Sequence, residues 1–244
     1  MITSVVDTCL LAVTKGISAS IGDFYAAESR QKSESLYQST ALVFAWLYGV
    51  ASVCLLMLVN PFLLLVFGQD YVLSDVTLLI IVANFWVIGQ TRAANSFRKA
   101  AGLYWKGKLR PVANVIINLV SAVLLSERFG LDGILLGVLL GNTATLLWYE
   151  PWLVYTKAFQ MSPMPGFWKC LKYNAVVIAS CILAAAIGRY LPMQSWLGLI
   201  LCGILCVAIT FAIFFVSSYR TQEFTYVKNK LTGILSKFRR GAAG

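Results

Sequence analysis

Seven stretches of the sequence stay apolar for sixteen to twenty residues with few charges: Ile2–Ile21, Ala41–Val59, Val76–Ala94, Pro111–Ser126, Gly133–Tyr149, Tyr173–Gly188 and Leu197–Phe215. Such runs are too long for ordinary strands and approach the ~20 residues a helix needs to cross a bilayer core. They predict an all-α, polytopic membrane helix bundle of about seven transmembrane helices. The shorter runs are flanked by Arg or Lys, whose aliphatic stems let the charge snorkel to the interface. The second run continues past Asn60-Pro61 to Phe67, too long for one span. Pro61 predicts a break there, with Phe62–Phe67 as a short interfacial piece. Pro111 suits the first turn of a helix, where its missing N–H matters little. Arg128 to Asp132, centred on Gly130, predicts a tight hairpin between the fourth and fifth spans.

Composition agrees. Apolar residues make up 59% and charged residues 12%, about half the charge of an ordinary soluble domain. The 20 Lys and Arg against 10 Asp and Glu give a net charge of +10. Their distribution accounts for that charge without nucleic acid. Counting alternate loops, seventeen Lys and Arg fall on one side and two on the other. This positive-inside asymmetry predicts a cytoplasmic C-terminus. Seven spans then leave Met1 outside, with no signal peptide and no upstream span to deliver it, so the chain is expected to be the later part of a longer protein. From Gln222 to Arg240, Phe224, Val227, Leu231, Leu235 and Phe238 recur at helical spacing among Lys and Arg. That pattern predicts a basic amphipathic helix on the inner leaflet.

Polar residues inside spans are costly, so their spacing is informative. Ser4, Asp7, Leu11, Thr14/Lys15 and Ser18 share a face of the first span. Asn84, Thr91/Arg92, Asn95 and Arg98/Lys99 run along the third. Asn114, Asn118 and Ser121 line the fourth, and Asn142, Thr145 and Tyr149 the fifth. Spans one, three, four and five are therefore expected to face a shared polar interior, with two, six and seven peripheral and lipid-facing. Two readings of the stripes stand side by side. Asn, Ser and Thr glue helices together at about 0.6–1 kcal/mol each, or they line a hydrated cavity for a polar, anionic substrate. Asp7, Lys15 and Arg92 favour the cavity, because charges at depth need water or partners. Three roles are open for Lys15: the cavity, pairing with Asp7, or snorkelling. The glycines at 130, 133, 137 and 141 give spans four and five a small-residue seam.

Several classes drop out. There is no histidine and no CxxC, and five of the six cysteines lie in apolar runs. That leaves no zinc motif, no disulfide framework and no His-based catalysis; the cysteines read as small hydrophobes. No nucleotide motif appears, and an enzyme is not expected. A polysaccharide polymerase needs sizeable charged outer loops, which this chain lacks. The last span has no lysine for a retinal Schiff base.

Asn95-Ser-Phe-Arg-Lys-Ala-Ala-Gly-Leu-Tyr-Trp-Lys-Gly-Lys-Leu-Arg-Pro111 is followed by Ile116-Ile-Asn-Leu-Val-Ser121 and Gly133-Ile-Leu-Leu-Gly137. Trp148-Tyr-Glu-Pro151 then precedes Tyr155 and Phe159. Earlier come Ser18-Ala-Ser-Ile-Gly-Asp23 and Asn60-Pro-Phe with Gly68. In order and spacing, over roughly residues 5–190, these resemble the C-terminal half of Wzx-type polysaccharide (O-antigen) flippases of the multidrug/oligosaccharidyl-lipid/polysaccharide exporter superfamily. The resemblance implies a two-lobed, fourteen-helix fold of which this chain is about the eighth to the fourteenth helix. Residues 1–160 would form the C-lobe, 161–218 two peripheral helices, and 219–244 the basic tail. It implies transport of undecaprenyl-pyrophosphate-linked oligosaccharide across a bacterial plasma membrane by alternating access, for surface polysaccharide. It implies no cofactor, with coupling to H+ or Na+. The implied partners are the bilayer, the lipid-linked oligosaccharide, the N-terminal half and polysaccharide assembly proteins. Lys15, Arg92 and Arg98 are the cations expected to meet pyrophosphate. Asp7, Asn84, Asn95, Asn114, Asn118 and Glu150 complete the expected translocation residues. Many relatives carry Glu where this chain has Asn114 and Thr where it has Val138. The alternatives are a drug/cation antiporter of the same superfamily, or a non-transporting truncated product.

Overall fold

The computed structural model describes residues 2–105, 107–188, 195–221, 223–226 and 228, and among them it contains helices and no strand. The helices are α1 (Ile2–Ala27), α2 (Arg30–Phe67), α3 (Asp75–Ala100), α4 (Arg110–Asn142), α5 (Tyr149–Leu153), α6 (Met164–Gly188) and α7 (Trp196–Ser218). Two π-helical turns, Thr143–Leu147 and Val154–Phe159, precede and follow α5. Four helices, α2, α3, α6 and α7, are long and apolar enough to cross a membrane. α1, which carries Asp7, Lys15 and Asp23, is not among them, and neither is α4. All-α is the architecture observed, with four such helices rather than the seven read from the sequence. The predicted tail helix, Gln222 to Arg240, lies largely outside the described residues.

α4 is a helical hairpin. Gly130 has φ +55° and ψ −127°, outside the helical region, and splits α4 into arms 110–129 and 131–142. A side chain disfavours that positive φ, and glycine does not. The arms then pack along the glycine seam. A Cβ on Gly133 would lie 2.2 Å from the Leu125 carbonyl oxygen, and one on Gly137 would lie 2.5 Å from the Ala122 nitrogen. The hairpin predicted at Gly130 is present, and so is its small-residue seam.

Two expectations fail. Pro61 does not break the second run: α2 continues as one helix from Arg30 to Phe67. Proline removes only one backbone hydrogen bond, and a long helix packed on its neighbours tolerates that loss. The end of α2 is also tied down, because Asn60 exchanges hydrogen bonds of 2.9 and 3.1 Å with the backbone of Leu73. Nor is span two peripheral. Fourteen residues of α2 are buried, and the helix packs against α1, α3, α6 and α7. Ala45, Gly49 and Ser52 keep its surface low enough for close approach, while Phe44 and Tyr48 fill the core. The peripheral element is instead the 110–129 arm, which has no buried residue. Val112, Val115, Ile116, Leu119, Val123 and Leu124 all face outward on it.

The core runs between α2, α3 and the 143–159 segment. Tyr37, Phe97, Tyr155 and Phe159 meet there edge to face, with ring centroids 5.3–6.0 Å apart, in the arrangement that aromatic quadrupoles favour. Cys202 and Cys206 of α7 are buried beside Val53 and Ala184, with Cys54 and Cys181 against them, behaving as compact apolar side chains.

Candidate functional site

The polar face of α3 divides between two sides of the helix. Residues 84, 88, 92, 95, 96 and 99 fall within one helical stripe and turn toward α1. Arg98 turns toward α5, and Thr91 bonds back to the carbonyl of Ile88 at 2.8 Å.

Along the α1-facing stripe lie two clefts. One, of about 410 Å³, is lined by Thr3, Ser4 and Asp7 of α1, by Asn84 and Arg92 of α3, and by Leu135 and Val138 of the hairpin. The other, of about 260 Å³, is lined by Arg92, Asn95, Ser96 and Lys99 of α3, with Leu11, Gly22 and Phe44. Arg92 belongs to both. Its Nη2 lies 2.6 Å from Oδ2 of Asp7, and Tyr48 donates to Oδ1 of the same carboxylate at 2.6 Å. Tyr48 reaches Asp7 because Gly89 leaves room for its ring: a Cβ there would lie 2.1 Å from Tyr48 Cδ1. The carboxylate is thus held from two helices. Arg92 Nε is buried without a hydrogen-bond partner, so one donor of the guanidinium fork is left unmatched. Asp7 is the only carboxylate among the described lining residues of either cleft, whereas Arg92 and Lys99 are both cations.

Behind the larger cleft runs an amide ladder. Asn142 donates to Asn84 Oδ1 at 2.8 Å, and Asn114 donates to Asn142 Oδ1 at 3.0 Å and to Thr145 Oγ1 at 2.7 Å. Asn118 donates to Asn114 Oδ1 at 3.4 Å. Thr145 returns its proton to the Gly141 carbonyl at 2.7 Å. The ladder joins α3 to both arms of the hairpin and to the first π turn. Of its members only Asn84 lines the cleft. Of these two residues expected in a translocation path, Asn114 bonds across to the second arm and the π turn, while Asn118 bonds one turn back to Asn114 within its own arm.

Glu150 forms a separate centre. Its side chain is fully buried, with Arg98 Nε 2.9 Å from Oε2 and Arg110 Nη1 3.0 Å from Oε1. Neither contact is aligned as a hydrogen bond, so the cluster is held by charge attraction more than by directed N–H···O geometry. Arg98 also donates to Asn95 Oδ1 at 2.9 Å. The triad ties the end of α3, the start of α4 and α5 together. Its position between two π turns is notable because π-bulges recur at functional sites.

The expected residues therefore separate into groups. Asp7, Asn84, Arg92 and Asn95 line the clefts; Arg98 and Glu150 belong to the triad; Asn114 and Asn118 belong to the ladder. Lys15 is exposed, lines neither cleft and makes no ion pair among the described residues. Asp7 pairs with Arg92 instead, one helical neighbour away. The sequence reading missed Tyr48, which sits in a span with few polar groups, and Arg110, which reads as a loop charge. It also missed a network on the far side of α2. There Lys169 contacts Glu223 and Gln38, Gln38 donates to the Tyr155 hydroxyl at 3.2 Å, and Trp86 donates to Asn174 at 2.7 Å. Those partners lie 54 to 131 positions apart, so only the tertiary structure reveals them.

Among the described residues, no group of three or more His, Cys, Asp or Glu side chains is placed to hold a metal ion. What fold and site define is an all-α bundle with four membrane-length apolar helices and a cationic, amide-lined pair of clefts against α3. No family model, no curated protein and no solved structure matches the chain significantly.

Proposed function

We propose that this chain is part of a multi-pass transporter in a bacterial plasma membrane. In this reading it spans the bilayer seven times with its C-terminus in the cytoplasm, and it moves undecaprenyl-pyrophosphate-linked oligosaccharide between leaflets by alternating access. A facing N-terminal half closes the pathway, and the product passes to polysaccharide assembly proteins. The single observation that carries the reading is Arg92, which lines both clefts with a buried, unpartnered Nε and a carboxylate as its counter-ion. Guanidinium groups suit phosphate because their planar fork offers several donors at once. Asp7 holds Arg92 in place when no anion is present, and a diphosphate competes for the same donors. Lys99, Asn95 and Ser96 extend the polar lining of the smaller cleft. A cation cargo is less well served, since the one described lining carboxylate is already paired.

The test is complementation in a host that needs the intact transporter for surface polysaccharide. Arg92→Ala is expected to abolish the polysaccharide while membrane-fraction protein stays at parent level, and Arg92→Lys to restore part of it. Normal polysaccharide in Arg92→Ala would overturn the assignment. Drug resistance conferred by the parent chain, with no effect on polysaccharide, would transfer it to an antiporter.

A further inference from the structure

The outward stripe of α7 has a feature that the cleft reading does not use. Ile200, Val207, Phe211 and Phe215 are exposed at helical spacing, and Ala208 and Ala212 between them carry only a methyl group. Together they line a shallow, widely open hollow with an almost wholly apolar surface. At its end, Phe215 is shared with a second hollow of about 570 Å³ lined by Tyr219 and Arg220. Tyr219 stacks on Phe215 at 6.1 Å, and the Arg220 guanidinium lies 5.6 Å from the Tyr219 ring.

The charges around that end are unbalanced. Glu223 is the nearest acid along the chain, and it is taken up by Lys169. Lys172 donates to the Ser217 carbonyl and has no acidic partner among the described residues. Arg220 has none either; its contacts are with Tyr219. An apolar groove therefore runs into a locus of two uncompensated cations. Ile200 to Phe215 is about 22 Å along a helix, more than half the roughly 30 Å hydrocarbon thickness. That is the reach of an acyl chain whose headgroup sits at Arg220.

We infer that this surface is a binding site for an anionic diacyl glycerophospholipid, with one acyl chain along Ile200–Phe215 and the phosphate on Arg220. A second copy of the chain fits less well. Copies in a membrane share one orientation, so a two-fold contact through this stripe would set two Arg220 side chains at one depth with no described acid between them. An anionic headgroup removes that imbalance and is drawn to interfacial cations.

This inference rests on the bilayer part of the proposed function and on none of its substrate assignment. The full chain is first fractionated. Recovery in the detergent-free soluble fraction would sink the bilayer reading and this site with it. The detergent-solubilised chain is then mixed with equal phosphatidylglycerol and phosphatidylcholine of matched acyl chains, and retained lipid is read by native mass spectrometry. Retention of phosphatidylglycerol over phosphatidylcholine is expected. Arg220→Ala should lower it roughly tenfold, the loss of one charge-assisted contact, and Arg220→Lys should keep most of it. Ala208→Phe, on an exposed position and filling the hollow, should lower retention of both lipids while thermal unfolding stays at parent level. Equal retention of the two lipids, no effect of Arg220→Ala, or a dimer that Ala208→Phe dissociates would each overturn the proposal.

Discussion

The hydroxyl of Tyr48 donates a 2.6 Å hydrogen bond to the carboxylate of Asp7, from the middle of α2 to the first turns of α1. It is the contact by which α2 fixes the counter-ion of Arg92. Neither residue announces it in the sequence, because Tyr48 sits in a run that reads as uniformly apolar.

Tyr48→Phe keeps the ring that fills the space above Gly89 and removes only the donor. A hydrogen bond to a charged group contributes about 1.5–3 kcal/mol. For a chain of this length the expected fall in unfolding midpoint is several degrees, read by thermal unfolding in detergent. Combined with Asp7→Asn, the two losses should be less than additive, since both break one contact. Strict additivity would show that the hydroxyl and the carboxylate act separately.

Glu150→Gln should be more damaging than its small change in shape suggests. Arg98 and Arg110 converge on the carboxylate with side chains only 13% and 19% exposed. Removing the anion leaves two buried cations facing each other, a loss of about 3–5 kcal/mol. Replacing all three residues by Met should recover much of that stability, as apolar substitution of a buried ion cluster often does. Thermal unfolding of the single and triple variants separates the two cases; a triple variant no better than Glu150→Gln would contradict this account of the triad.

Gly137→Leu tests the hairpin. Its Cβ would meet the backbone of Ala122, not a movable side-chain tip, so the arms must part. Overpacking of this kind typically costs about 1–3 kcal/mol. Faster tryptic cleavage at Arg128, in the turn, is the expected sign, because a hairpin that opens exposes that bond. An unchanged cleavage rate would show the seam to be dispensable.

Acid should loosen the segment after α7. Burial, the largest single influence, pushes the Glu223 carboxyl up, but the hydrogen bonds from Lys169, the backbone and Thr221 together with the charge of Lys169 outweigh it, so its pKa ends below the ordinary value of 4.5. A carboxyl with a lowered folded pKa adds stability that is fully present above the unfolded value. That stability is lost as pH falls through the folded one. Unfolding midpoints of parent and Glu223→Gln should therefore differ at neutral pH and converge as the pH falls through the lowered folded value. A constant difference down to pH 2 would remove Glu223 as the titrating group.

How much of this was legible beforehand depends on the kind of signal. The hairpin at Gly130 was readable because a positive-φ turn and a glycine seam are local demands, written at fixed offsets in one stretch of chain. The inward turn of Asn84 and Asn142 was readable from helical spacing. Span two was misjudged for a physical reason. A lack of polar groups says only that a helix avoids water, and lipid and protein core are alike in that respect. Pro61 was misjudged because local propensity is a weak constraint on a helix packed along its length.

By itself, the sequence determined that the chain is helical, that long apolar helices dominate it and that its charges cluster, since these follow from composition and period. Only the tertiary structure decided who meets whom. Asp7 pairs with Arg92 and not with Lys15, Glu150 draws in Arg110 across a loop, and α2 rather than the 110–129 arm occupies the centre. Partner choice is set by which helix faces come into register in space, and periodicity along one helix carries no information about the face opposite it.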